Sequence, residues 1–110
     1  MTTIREVGSD KTVYLPKVIQ LREFLRGYSL SGKQVIILHR VLCMRKAPVE
    51  ILRGMYSEAR WADGALNVLV NFGLLKRHGV FISPSETFLT DFGLNSDHYW
   101  SNKYKLKVTV

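Results

Sequence analysis

The stretch that decides the fold is PVEILRGMYSEARWADGALNVLVNFGLLKR, residues 48–77, in which two apolar-patterned segments flank a short polar turn. Pro48 suits the first turn of a helix, because a proline there loses no helical hydrogen bond. The apolar stripe that follows it stops near Gly54, which predicts a helix of about two turns. Gly54 lets the chain reverse sharply, and we expect it to adopt a positive φ.

The second segment predicts a longer helix over about residues 58–72. Ser57 is a candidate N-cap, because a serine hydroxyl can accept a hydrogen bond from a free backbone N–H of the first turn. Apolar residues then recur at spacings of three and four, the period of one buried helix face. Gly73 can end the helix in a left-handed conformation. The two segments together predict a helix-turn-helix.

Helical patterns also precede this stretch. Ser31 is a candidate N-cap, and apolar residues on overlapping faces predict a largely buried helix over about residues 32–46. A first helix is predicted over about residues 16–27, between a proline and a glycine. Before it, residues 1–14 read as a loose arm whose segment Thr12–Tyr14 can pair as a strand.

Strand patterns follow the two helices. Leu74–Arg77 and Val80–Ser83 predict a β-hairpin that turns at His78-Gly79. A third strand is predicted over Thr87–Leu89. Near the end of the chain, apolar and basic residues alternate from Tyr104 to Val110, which indicates a half-buried C-terminal strand with a basic outer face.

Two phrases resemble known regulators. NFGLLKR, residues 71–77, is similar to the helix end and first strand of MarR-like and related winged helix-turn-helix proteins. FLTDFG, residues 88–93, resembles the strand-into-helix segment that follows their wing. The resemblance implies an α+β fold, mainly helical with a small antiparallel β-ribbon, with the core motif at about residues 31–90. In that family the second helix of the motif lies in the major groove of DNA and the wing touches the backbone or minor groove.

The resemblance places a DNA contact surface on the outer face of the helix at 58–72 and on the strand that follows. The outer face carries Ser57, Arg60, Trp61, Asn67 and Asn71. Ser57 with the first-turn amides can hold a phosphate, Arg60 can read guanine and Asn67 can read adenine. Lys76 and Arg77 are expected beside phosphate.

Two carboxylates near this surface oppose the binding of phosphate. Glu58 and Asp63 lie on the same helix and repel phosphate, although an acid in the groove can also accept from cytosine. Basic residues elsewhere can form a phosphate-binding rim or simply keep the protein soluble, and the sequence favours neither role. They are Arg40, Arg45, Lys46, Arg53, Lys76, Arg77, Lys103, Lys105 and Lys107.

Composition limits the classes of protein. The 110 residues fit one domain, and the net charge of +7 favours an anionic partner such as nucleic acid. No apolar run approaches the roughly 20 residues of a membrane span, so we expect a cytoplasmic protein. Cys43 is the only cysteine and has apolar neighbours, which predicts a buried thiol in a reducing compartment.

Signals for an enzyme are poor. His39 and Cys43 lie four residues apart on one helix, but zinc needs three or four ligands and neither His78 nor His98 has ligand spacing to them. The sequence has no Gly-rich phosphate loop and no nucleophile elbow. We therefore expect no enzyme, no cofactor and no metal site.

Two functions stay open at this point. The first is a double-stranded DNA binder that regulates transcription, dimerising through the helix at 16–27 or the strand at 104–110. The long terminal helices of MarR-like proteins are absent from this chain. The second is a winged-helix module for protein binding, for example a small phage or mobile-element protein that modulates a host protein. Its contact surface would be aromatic: Tyr56, Trp61, Phe81, Tyr99 and Trp100.

Overall fold

Helices and short strands alternate along the chain. The computed structural model describes residues 11–109. Its helices are α1 Val18–Phe24, α2 Gly32–Met44, α3 Val49–Arg53, α4 Ala59–Asn71, α5 Glu86–Phe92 and α6 Ser96–Trp100, and a 3₁₀ turn spans Arg26–Tyr28. Its strands are β1 Thr12–Leu15, β2 Ala47–Pro48, β3 Leu75–His78, β4 Phe81–Pro84 and β5 Lys105–Val108. Within residues 11–109, every helix is too short or too polar to cross a bilayer.

The strands form two separate sheets. In the larger sheet β4 lies between β2 and β3 and is antiparallel to both, with Leu75 opposite Pro84 and Ala47 opposite Ile82. In the smaller sheet β1 and β5 run parallel, from Thr12 beside Lys105 onward. The protein is therefore an α+β fold with a small three-stranded antiparallel sheet, as the sequence predicts.

One apolar core joins the helices to the larger sheet. It is built mainly from leucine, isoleucine and valine on the inner faces of α2, α4 and β4, and the aromatic rings of Phe88 and Tyr99 close it. Its most deeply buried members are Leu21, Ile37, Leu38, Val41, Leu42, Ala47, Leu52, Leu69, Ile82, Leu89 and Tyr99. Burial of each leucine, isoleucine or valine side chain contributes about 1.5–3 kcal/mol, which makes this cluster the main source of stability.

The start of α2 confirms the predicted N-cap. The Oγ of Ser31 accepts from Gln34 N at 3.2 Å, and Gln34 Oε1 in return accepts from Ser31 N at 2.8 Å. This reciprocal pair satisfies two backbone donors that helix geometry leaves without partners. The helix ends at Met44, two residues before the predicted limit, because Arg45 has φ 66° and leaves the helical conformation.

The predicted helix pair is present, with two corrections. Gly54 has φ −65°, an ordinary right-handed value, so the expectation of a positive φ there is wrong. The turn instead extends over several residues, so no single residue has to reverse the chain. The N-cap of α4 is Glu58 and not Ser57, because the extended residue directly before the helix is Glu58. Gly73, with φ +76°, follows the helix as predicted.

The predicted hairpin is confirmed to within one or two residues, and its turn includes Gly79 at φ +61°. The segment after it differs from the prediction, since Thr87–Leu89 is helical and belongs to α5. Ser85 caps this helix by accepting from Phe88 N at 3.1 Å. The cap and the spacing of Phe88 and Leu89, both buried, outweigh the strand propensity of single residues.

Both ends of the described chain meet in the smaller sheet. The predicted strand at Thr12–Tyr14 is confirmed as β1, and the predicted C-terminal strand is confirmed over Lys105–Val108. The remainder of the predicted arm, residues 1–10, and Val110 lie outside the described residues.

Candidate functional site

The outward face of α4 presents a straight line of residues. Arg60, Gly64, Asn67 and Asn71 fall within about 60° of one another around the helix axis and are all exposed. The opposite face, with Ala62, Ala65, Leu66 and Leu69, is buried in the core. Three of the predicted contact residues are thereby brought onto one surface, separated by one turn or two.

Gly64 lies at the centre of this line, and the fold does not need a glycine there. A Cβ added to Gly64 would meet no atom within 4 Å. Glycine inside a helix costs about 1 kcal/mol relative to alanine. The missing side chain leaves the backbone of α4 open to close approach from outside.

Asp63 is paired within the protein. Arg53 of α3 donates from Nε to Asp63 Oδ1 at 2.9 Å and from Nη2 to Oδ2 at 3.1 Å, and its Nη1 donates to Glu50 at 2.8 Å. The hydrogen bonds from Arg53 hold the pKa of Asp63 below its usual range, and the positive charges of Arg53 and Arg77 add to this effect. The negative charge of Asp63, which opposes an anionic partner, is therefore compensated in part by Arg53, which also pairs with Glu50.

The first turn of α4 holds a small exposed cluster. Trp61 Nε1 donates to Glu58 Oε1 at 2.6 Å, and Arg60 Nη2 lies 3.4 Å from the same oxygen. The Arg60 guanidinium also lies 5.3 Å from the centre of the Trp61 ring. Ser57 is exposed and precedes the cap residue, so its predicted capping role is wrong and Glu58 takes that position.

A groove runs along one side of α4. Its volume is about 620 Å³, and it is lined by Ser31, Gln34, Tyr56, Arg60, Trp61, Gly64, Ala65 and Val68. Trp61 is 55% exposed and Val68 is 36% exposed, so the wall that α4 contributes offers accessible apolar surface beside the charged Arg60. The opposite wall comes from the start of α2. Arg60 and Gly64 belong both to this groove and to the line of polar residues, and Trp61 lies beside Arg60 in the groove.

Lys76 and Arg77 point to opposite faces of β3, because side chains alternate along a strand. Arg77 shares the side of the buried Leu75, and its Nε donates to Gly79 O at 3.0 Å across the hairpin turn. Lys76 lines a separate cleft on the outer face of the larger sheet. The two basic residues, predicted to act as a pair, are separated by the strand.

His39 and Cys43 make contacts within the fold. His39 Nε2 lies 2.8 Å from Pro16 O, and Nδ1 lies 3.7 Å from the Cys43 sulfur. Burial raises the pKa of the Cys43 thiol, although its side chain is only half-buried. In the part of the chain that the structure describes, no three His, Cys, Asp or Glu side chains lie close enough together to hold a metal ion.

Sequence reasoning missed the Arg53–Asp63 pair, the groove and the outer cleft. The pair joins residues ten apart, so it depends on the angle between two helices and leaves no local signal. The groove needs Ser31 and Tyr56 from different elements beside α4. The separation of Lys76 from Arg77 did have a signal, since the period of the predicted strand implies it.

Comparison with protein-family models, with curated proteins and with solved structures gives no match for this chain.

Proposed function

We propose that residues 31–90 form a winged helix-turn-helix unit that binds double-stranded DNA and regulates transcription. In this proposal α3 and α4 are the two helices of the motif, and the hairpin of β3 and β4 is the wing. The order of elements supports it: a buried helix, a short helix, a longer amphipathic helix and then a hairpin. The sequence phrases at residues 71–77 and 88–93 favour the same unit.

The observation that carries the proposal is the line Arg60, Gly64, Asn67 and Asn71 on α4. Arginine can donate two hydrogen bonds to guanine, and asparagine can exchange two with adenine. Both need the helix backbone close to the base edges, which Gly64 permits because its Cβ position is empty. A line of this kind spans three turns of the helix, about 16 Å, and can follow the floor of the major groove.

Charge supports the same partner. Arg77 is exposed at the hairpin and held toward its turn by Gly79 O, a position from which it can reach phosphate. The net charge of +7 favours a polyanion. The Arg53 fork on Asp63 reduces the repulsion that this carboxylate would exert on phosphate. Glu58 is less compensated, so we assign no phosphate to the first turn of α4.

Binding to labelled DNA tests the proposal. Fluorescence anisotropy with a duplex selected from a random pool should give an affinity that falls steeply between about 50 mM and about 200 mM salt. Arg60→Ala and Asn67→Ala should each lose about 1–3 kcal/mol on the selected site and less on unrelated duplexes. Lys17→Ala removes an exposed charge directly before α1, outside the basic residues that can form a phosphate-binding rim, and serves as the control. The absence of binding at the lower salt concentration refutes the proposal.

A protein-binding module is the second candidate, and the groove beside α4 favours it. An exposed tryptophan next to an apolar wall is typical of a hot spot for a protein partner. If Trp61→Ala abolishes capture of a partner while no DNA binds at low salt, this function replaces the first. Dimerisation through residues 16–27 or 104–110 stays a prediction, which the mass of the protein in solution tests directly.

A further inference from the structure

A second cleft lies on the outer face of the larger sheet, away from the groove beside α4. Its volume is about 380 Å³, and it is lined by Lys46, Lys76, His78, Ser83, Pro84, Glu86 and Trp100. Strand register places Lys76 opposite Ser83, and His78 lies two residues further along β3 on the same face. Lys46 precedes β2 at the edge of the same face, with its Nζ 4.8 Å from the centre of the Phe81 ring.

The nitrogen donors of this cleft are available to a ligand. Among residues 11–109, no carboxylate forms a salt bridge with Lys46, Lys76 or His78. Two ammonium groups and an imidazole around one cavity can together donate several hydrogen bonds to a phosphate group. Charge on this face therefore favours a compact anion.

The rest of the cleft is aromatic and acidic. Trp100 is 37% exposed and is one of the residues that line the cleft. Its Nε1 donates to Glu86 Oε1 at 3.0 Å, and Ser96 Oγ donates to the two Glu86 oxygens at 2.9 and 2.7 Å. These donors hold the carboxylate in one orientation. A carboxylate fixed in this way can accept hydrogen bonds from sugar hydroxyls.

We propose that this cleft binds a ribonucleoside 5′-monophosphate. Lys46 and Lys76 hold the phosphate, the base stacks on Trp100, and Glu86 accepts from the ribose hydroxyls. Base stacking on an aromatic side chain contributes about 1–3 kcal/mol and tolerates every base. The cavity volume lies within the range of small-ligand sites, which is about 300–1,000 Å³. The same chemistry is supplied by a free nucleotide or by the 5′-phosphorylated end of a single-stranded RNA.

Tryptophan fluorescence of the full chain tests this site. The chain has two tryptophans, and replacing the exposed Trp61 by phenylalanine leaves Trp100 as the only one. Titration of Trp61→Phe protein with AMP should give a saturable change in emission after correction for nucleotide absorbance. Lys46→Ala with Lys76→Ala in this background should weaken binding about tenfold or more, as should the use of adenosine in place of AMP. Lys107→Ala is the matched control and should bind AMP normally.

Three comparisons complete the test. Deoxy-AMP should bind about tenfold more weakly than AMP, and Glu86→Gln should remove this difference. Tighter binding of a 5′-phosphorylated RNA tetramer than of AMP identifies the strand end as the source of the ligand, and equal binding identifies the free nucleotide. The proposal is wrong if AMP gives no saturable change, if inorganic phosphate binds as tightly as AMP, or if the double lysine variant binds AMP like Lys107→Ala.

Discussion

Arg53 donates hydrogen bonds to both carboxylate oxygens of Asp63, at 2.9 and 3.1 Å, across the turn that separates α3 from α4. A planar guanidinium paired with a carboxylate in this way fixes the orientation of both groups. Both side chains are about one-third exposed. The pair therefore links α3 to α4 on the surface, where pH and salt can reach it.

The Arg53–Asp63 pair makes the free energy of unfolding depend on pH in the acid range. The pKa of Asp63 lies below its ordinary value, so near pH 4 and below the unfolded chain binds more protons at this site than the folded chain. The contribution of the pair is complete above about pH 4 and is lost as the pH falls through the pKa of the folded protein. Urea unfolding should show wild type more stable than Asp63→Asn at about pH 6, with the difference shrinking as acid is added.

Asp91→Asn is the matched control for this experiment, because Asp91 is exposed and forms no salt bridge with another described residue. Its stability should follow wild type at neutral pH. A gap between wild type and Asp63→Asn that stays constant down to acid would show that the charge of Asp63 is not what stabilises the fold.

The elements near α4 could be predicted because local chemistry determines them. Pro48 lies directly before α3 as its extended N-cap residue and not inside the first turn as predicted, but it still marks where the helix begins. Apolar spacing determines which face of α4 is buried, and Gly73 permits the left-handed conformation after it. The same local reasoning fails at Thr87–Leu89, because the Ser85 cap competes with the strand preferences of single residues and decides the outcome. A cap residue placed directly after a strand was the missed signal.

The candidate functional residues could be predicted only where they share one helix face. Arg60, Asn67 and Asn71 share a face through helical periodicity alone, which a sequence records. The outer cleft brings Lys46, Lys76 and Trp100 together from three parts of the chain. Only the tertiary structure brings these residues together, so their spacing in the sequence could not predict the cleft.

Substitution of Gly64 should affect the stability of the protein and its affinity for DNA in opposite directions. Gly64→Gln should stabilise the protein by about 0.5–1 kcal/mol, because glycine is a poor helix former and the space at this position is empty. The same variant should lose DNA binding, since a long side chain would hold α4 away from the bases. Thermal unfolding and anisotropy on the same samples measure both effects. Gly64→Ala, with a much smaller side chain, should be stabilised but should lose less affinity.

Undiminished DNA binding by Gly64→Gln would contradict the placement of α4 in the groove. A loss of stability in this variant would instead mean that the backbone around Gly64 does not tolerate a side chain, and Gly64→Ala would then show the same loss.

Lys76 and Arg77 should differ in their effect on DNA. Arg77→Ala should weaken binding to all duplexes alike and reduce the slope of log affinity against log salt by about one, as loss of one phosphate contact requires. Lys76→Ala should leave the slope unchanged, because Lys76 lies on the opposite face of β3. An equal reduction of this slope in both variants would mean that both faces of the hairpin reach the duplex.

Arg45 links the end of α2 to the C-terminal segment. It has φ 66° and ψ −54°, and a hydrogen bond of 2.7 Å from Lys46 N to Met44 O closes the turn around it. This is the geometry of a classic γ-turn, which is rare and strained for a residue with a side chain. Its guanidinium donates to Tyr99 O and Tyr104 O, both at 2.6 Å, and to Ser101 O at 3.1 Å.

The side chain of Arg45 stabilises the fold, whereas its backbone conformation destabilises it. We therefore expect the glycine variant of Arg45 to be more stable than the alanine variant. Arg45→Ala should destabilise by about 2–4 kcal/mol, since it loses three hydrogen bonds from a charged donor and keeps the strain. Arg45→Gly should be about 1 kcal/mol more stable than Arg45→Ala, because glycine adopts a positive φ at little cost. Urea unfolding gives both values.

Hydrogen exchange locates the effect. In both variants the amides of Lys105–Val108 should lose protection before those of α4, because Arg45 holds the carbonyl of Tyr104 directly before β5. If Arg45→Ala proves the more stable of the two, the turn is not strained and the contribution of Arg45 comes from its side chain alone. Uniform loss of protection throughout the chain would mean that the C-terminal strand unfolds only together with the core.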